Sequence, residues 1–330
     1  MKMGELVRNA AAPFARRPAK RALRWRTAGI AAAGIAAAGA GAWWARRSHH
    51  AWRALRGQVA LVTGGSRGLG FLVADELARA GCAVAICARD AAELAEARRQ
   101  LAAHGHDVAT FVCDVGDEAA VRAMVEGVSQ QFGRIDVVVN NAGIIEVAPI
   151  EALNVADFHA AMNVSFWGTV HVTLAVLPQM RARHAGRIVN VTSIGGEVAV
   201  PHLVPYDSAK FAAVGFSEGV RAEVAADGVQ VTTVVPGLMR TGSQRFAHFG
   251  GRAEKERAWF STAAQLPGVT VGARRAARRI VHATARGATE PVIGTPARLL
   301  RLAKRLAPRF TLRSLGVAAR LMPRATAPAP

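Results

Sequence analysis

Two arrangements in the chain combine residue types that can do chemistry. In "YDSAK", Tyr206 and Lys210 stand four apart, which places them on one face of a helix. A free phenol has a pKa of about 10, too high for efficient proton exchange near neutrality. A neighbouring ammonium favours the phenolate and lowers that value, so the pair reads as a tuned general acid/base. In "TGGSRGLG", Thr63 to Gly70, an apolar run gives way to a glycine-rich turn that opens a helical pattern. There Gly64, Gly68 and Gly70 let the backbone turn tightly and approach a pyrophosphate, which then sits on the helix N-terminus. Alone, each signal is weak: Tyr and Lys four apart occur on many helices by chance. The strand–turn–helix context is what gives the glycine turn its meaning.

The elements needed to hold these residues follow from the pattern beginning at Gln58. The runs "QVALVT", "AVAIC", "DVATFVCDV", "IDVVVNNAG", "GRIVNVTS" and "VQVTTVVPG" are apolar and of strand length. Amphipathic stretches such as "RGLGFLVADELARAG" and "DAAELAEARRQLAAHG" alternate with them, the second with Asp90 as its N-cap. A long helical region is expected over 155–180, an irregular stretch over 238–268, a basic helix around 270–286 and a last short strand near "EPVIG". Strands apolar throughout, alternating with helices, predict an α/β class: a doubly wound parallel sheet, the Rossmann fold, covered on both faces. We therefore expect one catalytic domain over 57–295, a basic N-terminal extension over 1–56 and a basic amphipathic extension over 296–330.

The spacing Thr-Gly-x-x-x-Gly-x-Gly, with the Tyr/Lys pair downstream, resembles the short-chain dehydrogenase/reductase family over about 57–295. That resemblance implies a nicotinamide cofactor held by Thr63, Gly64, Ser66, Arg67, Gly68, Leu69 and Gly70. It adds Asp114 and Val115 after the third strand, on the adenine. It further implies Asn141, Ala142 and Gly143 of "NNAG" on the adenosine side, and Pro236, Gly237 and Thr241 of "PGLMRT" beside the nicotinamide. Tyr206 and Lys210 would serve both cofactor and catalysis, with Lys210 on the nicotinamide ribose. Ser193, thirteen residues before Tyr206, matches the family's catalytic serine and would orient the substrate oxygen. Asn163 in "MNVSFWG" is assigned to the fourth catalytic position, which holds a water in the proton relay. The acid that would bind a ribose 2′-hydroxyl is replaced by Ala88, followed by Arg89. With Arg67 in the turn, two guanidiniums suit a 2′-phosphate, so the expected cofactor is NADP(H). The bland alternative for Arg89 is a solvated loop residue, and for His202 a loop histidine rather than a substrate contact.

Charge and composition narrow the partners. Net charge is +19, but residues 1–56 hold +11 and 296–330 hold +8, leaving the middle balanced. Basic tails rich in apolar residues suit an anionic membrane surface, and no recognition motif accompanies them, so nucleic acid is not expected. Cys82, Cys87 and Cys113 lack metal-ligand spacing and read as buried hydrophobes in a reducing compartment, so no metal is expected. Phe246, Phe249, Trp259 and Phe260 fall where the family closes over substrate. They either favour an apolar carbonyl or alcohol substrate or simply pack that segment down. "PARLLRLAKRLAPRFTLRSLGVAARLMP", broken by Pro308, reads as two basic helices that lie on a membrane or pack on the domain.

Residues 28–45, "AGIAAAGIAAAGAGAWWA", span about 27 Å as a helix, barely the hydrocarbon thickness. The segment is read as a membrane anchor, with an export signal, or a helix buried in protein or a linker, as alternatives. An NADP enzyme needs the cytosolic pool, so the catalytic domain is expected to face the cytoplasm. The overall expectation is a membrane-associated reductase of carbonyl compounds, as a homodimer or homotetramer. The rival is a non-catalytic NADP(H)-binding redox sensor or scaffold, which would have no need of Asn163, Ser193, Tyr206 and Lys210 together.

Overall fold

The computed structural model describes residues 54–265 and 268–323. The segment 28–45 and most of the N-terminal extension lie outside those residues. Seven parallel strands form the sheet, in the order β3-β2-β1-β4-β6-β7-β11. They are β1 (Val59–Thr63), β2 (Ala83–Ala88), β3 (Val108–Val112), β4 (Val137–Asn140), β6 (Gly186–Val191), β7 (Val229–Pro236) and β11 (Val292–Ile293). Alternate residues of a strand point to opposite faces. In β1, Ala60 and Val62 join one core with Val73 and Leu77 of α1 (Gly68–Arg79) and Ile280 of α8 (Ala273–Ala285). Val59 and Leu61 join the other, with Val121 and Val125 of α3 (Glu118–Phe132) and Val172 and Val176 of α5 (Gly168–Ala182). Both faces are covered, which is why the strands are apolar without alternation. The expected doubly wound sheet is what forms.

The second helix, α2 (Ala91–Ala103), starts as expected at Asp90, whose carboxylate accepts the Glu93 N–H at 2.9 Å. The long helical region over 155–180 is interrupted: α4 (Val155–Met162) leads into a wide turn of π-helix, Asn163–Trp167, before α5. The stretch 238–268 is more ordered than its sequence suggests. It holds β8 (Met239–Arg240), β9 (His248–Phe249) and α7 (Ala253–Gln265). β9 pairs with β5 (Glu146–Val147), and β8 with β10 (Val271–Gly272). These two short ladders stand beyond the sheet and close one side of the cleft described below.

Two buried carboxylates of α1 lock it to α8. Asp75 meets Arg274 at 3.2 Å and Glu76 meets Arg278 at 3.0 Å. A buried carboxylate without a cation would carry a large desolvation cost, so two of the four arginines of α8 have a structural reason. The C-terminal helices are α9 (Thr295–Leu306) and α10 (Pro308–Ala319), split at Pro308 as expected. Ala297 of α9 is buried with Ile194, Val198 and Val235, and Leu300 and Leu315 pack against them. The residues after 296 thus continue the domain through one face of α9.

Candidate active site

In a doubly wound sheet, ligands bind beyond the carboxyl ends of the strands, where the strand order reverses. Here that point lies between β1 and β4, and a cleft of about 640 Å³ opens there. Its floor is the glycine turn. Gly64 has φ +63° and Gly68 φ +59°, the left-handed region that favours glycine. A Cβ on Gly70 would stand 2.2 Å from the Gly64 carbonyl oxygen, while one on Gly68 would meet nothing within 4 Å. So the third glycine lets the helix pack on the turn, and the second leaves space above the N-terminus of α1. This cradle fits a pyrophosphate.

The segment after β4 is stitched to that turn. Thr63 Oγ1 accepts the N–H groups of Asn141 and Ala142, both at 3.0 Å. Asn141 Nδ2 donates to the Thr63 and Gly64 carbonyls at 3.0 and 3.3 Å. Asn140 instead enters a buried ladder crossing three strands. It donates to Thr173 Oγ1 and Asn190 Oδ1, Asn190 donates to Ser217, and Ser217 meets Thr233. Most of the expected cofactor residues line the cleft: Gly64, Ser66, Arg67, Gly68, Leu69, Arg89, Asp114, Val115, Asn141, Ala142, Gly143, Tyr206, Lys210 and Thr241. Thr63, Gly70, Pro236 and Gly237 shape it from behind without lining it.

At the far end of the cleft Tyr206 and Lys210 line the wall, and Ser193, which does not line it, joins them through a hydrogen bond with Tyr206. Ser193 follows β6, and its Oγ accepts the Gly195 N–H at 3.0 Å. Tyr206 and Lys210 lie on α6 (Val204–Glu223), with Lys210 Nζ 5.8 Å from the Tyr206 ring centre. Lys210 Nζ donates to the Val191 carbonyl at 2.9 Å. Burial pushes the Tyr206 phenol up to about 12, opposed by a hydrogen bond with Ser193 and reinforced by Asp207. Burial also pulls Lys210 down to about 8. The expected lowering of the phenol by its lysine is therefore outweighed: the low dielectric disfavours both charged forms. Tyr206 is held as a neutral acid.

Asn163 does not join them. Its side chain is exposed, lies against Gly116, and lines a separate shallow hollow with His159, Ala160, Met162 and Trp167. Ser165 faces inward instead. It is fully buried, its Oγ accepts the Ile144 N–H at 3.3 Å, and it packs on Gly143 beside Lys210 Nζ. Residues two apart on a helical turn face opposite sides, so only one of the pair can point at the lysine. The signal was in the phase: Ser165, Thr169, Val172 and Val176 recur on one buried face, which Asn163 does not share.

Two residues that the sequence did not single out, Glu93 and Asp207, complete the site, and of the four expected aromatic residues Phe246 lines it. Glu93, in the first turn of α2, accepts from Ser66 Oγ at 3.0 Å and pairs with Arg67. Phe246 lies under the Arg67 guanidinium at 3.9 Å, bridging the glycine turn and the segment after β8. Asp207 is buried beside Tyr206 and accepts the Val200 N–H at 2.6 Å. A Cβ on Gly195 would stand 2.2 Å from Asp207 Oδ1, so this carboxyl fits only because position 195 is glycine. Arg89 is largely exposed, 3.9 Å from Asp114. The other three aromatic residues pack rather than line: Phe249, Trp259 and Phe260 form a small core with Val147 and Leu203. His202 pairs with the buried Glu256 of α7 at 2.9 Å and does not line the cleft. Cys82, Cys87 and Cys113 are free and buried.

Comparison with known proteins agrees with this geometry. The family model for short chain dehydrogenases matches residues 58–248, more than half of the chain. Oxidoreductase BOA17 of Botryotinia fuckeliana is 38% identical over 184 residues, covering 56% of this chain and 66% of that protein. Over 255 residues the chain is 32% identical to the "Putative oxidoreductase SadH" of Mycobacterium tuberculosis, covering 77% of this chain and 92% of that one. A solved short-chain dehydrogenase from Streptomyces avermitilis superposes with a TM-score of 0.68 at 28% identity, covering 81% of this chain and 99% of that one. With its cradle, its Ser193/Tyr206/Lys210 cluster and these relatives, the chain belongs to the short-chain dehydrogenase family.

Proposed function

We propose that this chain is an NADP(H)-dependent oxidoreductase that reduces a ketone or aldehyde of apolar character, or oxidises the corresponding alcohol, at a membrane with its catalytic domain in the cytoplasm. The convergence of Ser193, Tyr206 and Lys210 at the mouth of a dinucleotide cradle carries this reading. The nicotinamide supplies or accepts the hydride. Ser193 engages the substrate oxygen through its hydroxyl hydrogen while its Oγ is steadied by the Gly195 N–H. Tyr206 Oη holds the proton that the developing alkoxide takes, and a neutral phenol is the form able to give it. Lys210 brings a positive charge to 5.8 Å from the Tyr206 ring centre and is anchored by the Val191 carbonyl. Ile144, Ile145, Val164, Met239 and Phe246 give the cleft apolar walls, which supports an apolar substrate.

The preference for a 2′-phosphate rests on Arg67 and Arg89, both in the cleft, and on Ala88 ending β2. Glu93 neutralises Arg67 in this structure, so a 2′-phosphate would take over a guanidinium that already has an anion. Turnover is measured as NADPH consumption over a panel of ketones and lipid aldehydes, against NADH. Wild type is expected to prefer NADPH, and the Arg67→Ala/Arg89→Ala pair to lose that preference. Tyr206→Phe is expected to lower kcat by about 10²- to 10⁴-fold. Unchanged turnover in Tyr206→Phe would remove the tyrosine from its role.

A further inference from the structure

One surface of the domain has no occupant within the fold. On α9, Ala297 and Arg301 face inward, and Leu299, Leu302 and Leu306 recur on the opposite side, all exposed. Leu306 is 76% exposed and Phe310, just past the Pro308 break, 71%. Leu312, Val317 and Leu321 continue the exposed apolar series along and beyond α10. Seven exposed large apolar side chains in twenty-three residues exceed the scattered surface leucine that needs no explanation.

The charge around this stripe has a single sign. From residue 295 to the end there is no Asp or Glu. Arg298, at the edge of the stripe, donates its Nε–H to the Val292 carbonyl at 3.1 Å, and burial together with repulsion from Arg275 and Arg298 pulls the Arg279 guanidinium of α8 below its usual range. Arg275, Arg279, Arg298, Arg309, Arg313 and Arg320 form no ion pair among the described residues. Like charges set side by side oppose folding unless an anion comes to them. The remaining arginines of α8 differ, since Arg274 and Arg278 are matched by Asp75 and Glu76.

We propose that the leucine stripe of α9 and α10, with Arg275, Arg279 and Arg298 at its flank, docks on a lipid bilayer that carries anionic headgroups. Leucines enter the acyl boundary while guanidiniums meet the phosphates. A nucleic acid would satisfy the arginines and leave the leucines in water. A second copy of this chain would bring like charge against like charge. The proposal deepens the membrane placement proposed above by naming the face that makes contact.

The test uses the full chain carrying a polarity-sensitive fluorophore on Leu306→Cys, the three native thiols being buried. Phosphatidylcholine vesicles are offered with and without phosphatidylglycerol. Emission is expected to rise severalfold with the anionic vesicles, to be quenched by brominated acyl chains, and to change little with phosphatidylcholine alone. Each basic residue contributes about fivefold to partitioning near such a surface, so Arg275→Gln/Arg279→Gln/Arg298→Gln is expected to weaken the response on the order of 100-fold. Co-flotation of the chain with a silent label would overturn the docking face while leaving membrane placement to other residues. Failure to float at all would overturn both. A response to duplex DNA, or to protein concentration without vesicles, would overturn it in favour of a nucleic acid or a second copy. NADPH turnover of the same preparation reports the catalytic reading independently.

Discussion

Two ionisable side chains in the site are shifted by burial towards their neutral forms. Asp207 is pushed from 3.8 up to about 8, so folding favours its protonated form. Its contribution to stability is complete below about pH 4 and is lost as pH rises through about 8. Asp207→Asn keeps the shape without the titration. Its thermal midpoint is expected to fall less than that of wild type between about pH 5 and about pH 9, at about 2–4 °C per kcal/mol for a chain of this size. Parallel curves from calorimetry would show that Asp207 does not titrate in the fold. Lys210 is lowered to about 8 by the same cause. Its charge disappears as pH rises through that value, and reductive kcat/KM is expected to fall with it. Because both groups sit near 8, the variant separates them: the alkaline fall persists in Asp207→Asn if Lys210 carries it.

At the scale of elements, the catalytic serine depends on a helix at the edge of the domain. Ser193 begins a short turn, Ile194–Gly196, that ends at Glu197. Glu197 meets Arg301 of α9 at 2.9 Å, and Arg301 also pairs with Glu290. All three are largely buried, so removing the cation leaves Glu197 without an ion-pair partner and Glu290 with only the more distant Arg305 at 4.0 Å; breaking a fully buried pair costs about 3–5 kcal/mol. Arg301→Met is expected to lower kcat about 10- to 100-fold through displacement of Ser193, and to weaken NADPH binding by less, because the pyrophosphate cradle at Gly64–Gly70 belongs to a different segment. Arg301→Lys should restore part of the rate. An unaltered kcat in a folded Arg301→Met protein would free the serine from α9. The elements legible in the sequence are those with strong periodicity: the strands, α1, α2, α8 and the break at Pro308. The helix α7 was hidden because its inward face reads Glu256, Phe260, Ala264, and a glutamate does not announce burial. Its partner His202 is distant in sequence, so the pair is visible only in three dimensions. The same holds for Glu93 against Arg67, whereas Ser165 could have been separated from Asn163 by helical phase.

For the whole molecule, the distribution of charge says more than its total. The catalytic region is balanced, and the excess lies in the first 56 and the last 35 residues. If both ends meet the same anionic bilayer, the second attachment is intramolecular and the two reinforce each other. Their physics differs, however. A leucine–arginine face on α9 and α10 holds partly by Coulomb attraction, which salt screens over a Debye length of about 10 Å at 0.1 M. An inserted apolar segment over 28–45 would be indifferent to salt. The domain can be tested without that segment, because the described core begins at Leu55. A chain starting at Ala51 is expected to keep NADPH turnover and its thermal midpoint. It is also expected to float with anionic vesicles at low salt and to be released as salt rises, whereas the full chain stays bound throughout. Equal release of both chains would mean that 28–45 does not insert. An Ala51 chain that stays soluble at low salt would mean that the C-terminal face is not an attachment, and the unpaired arginines of α8 and α9 would need another anion.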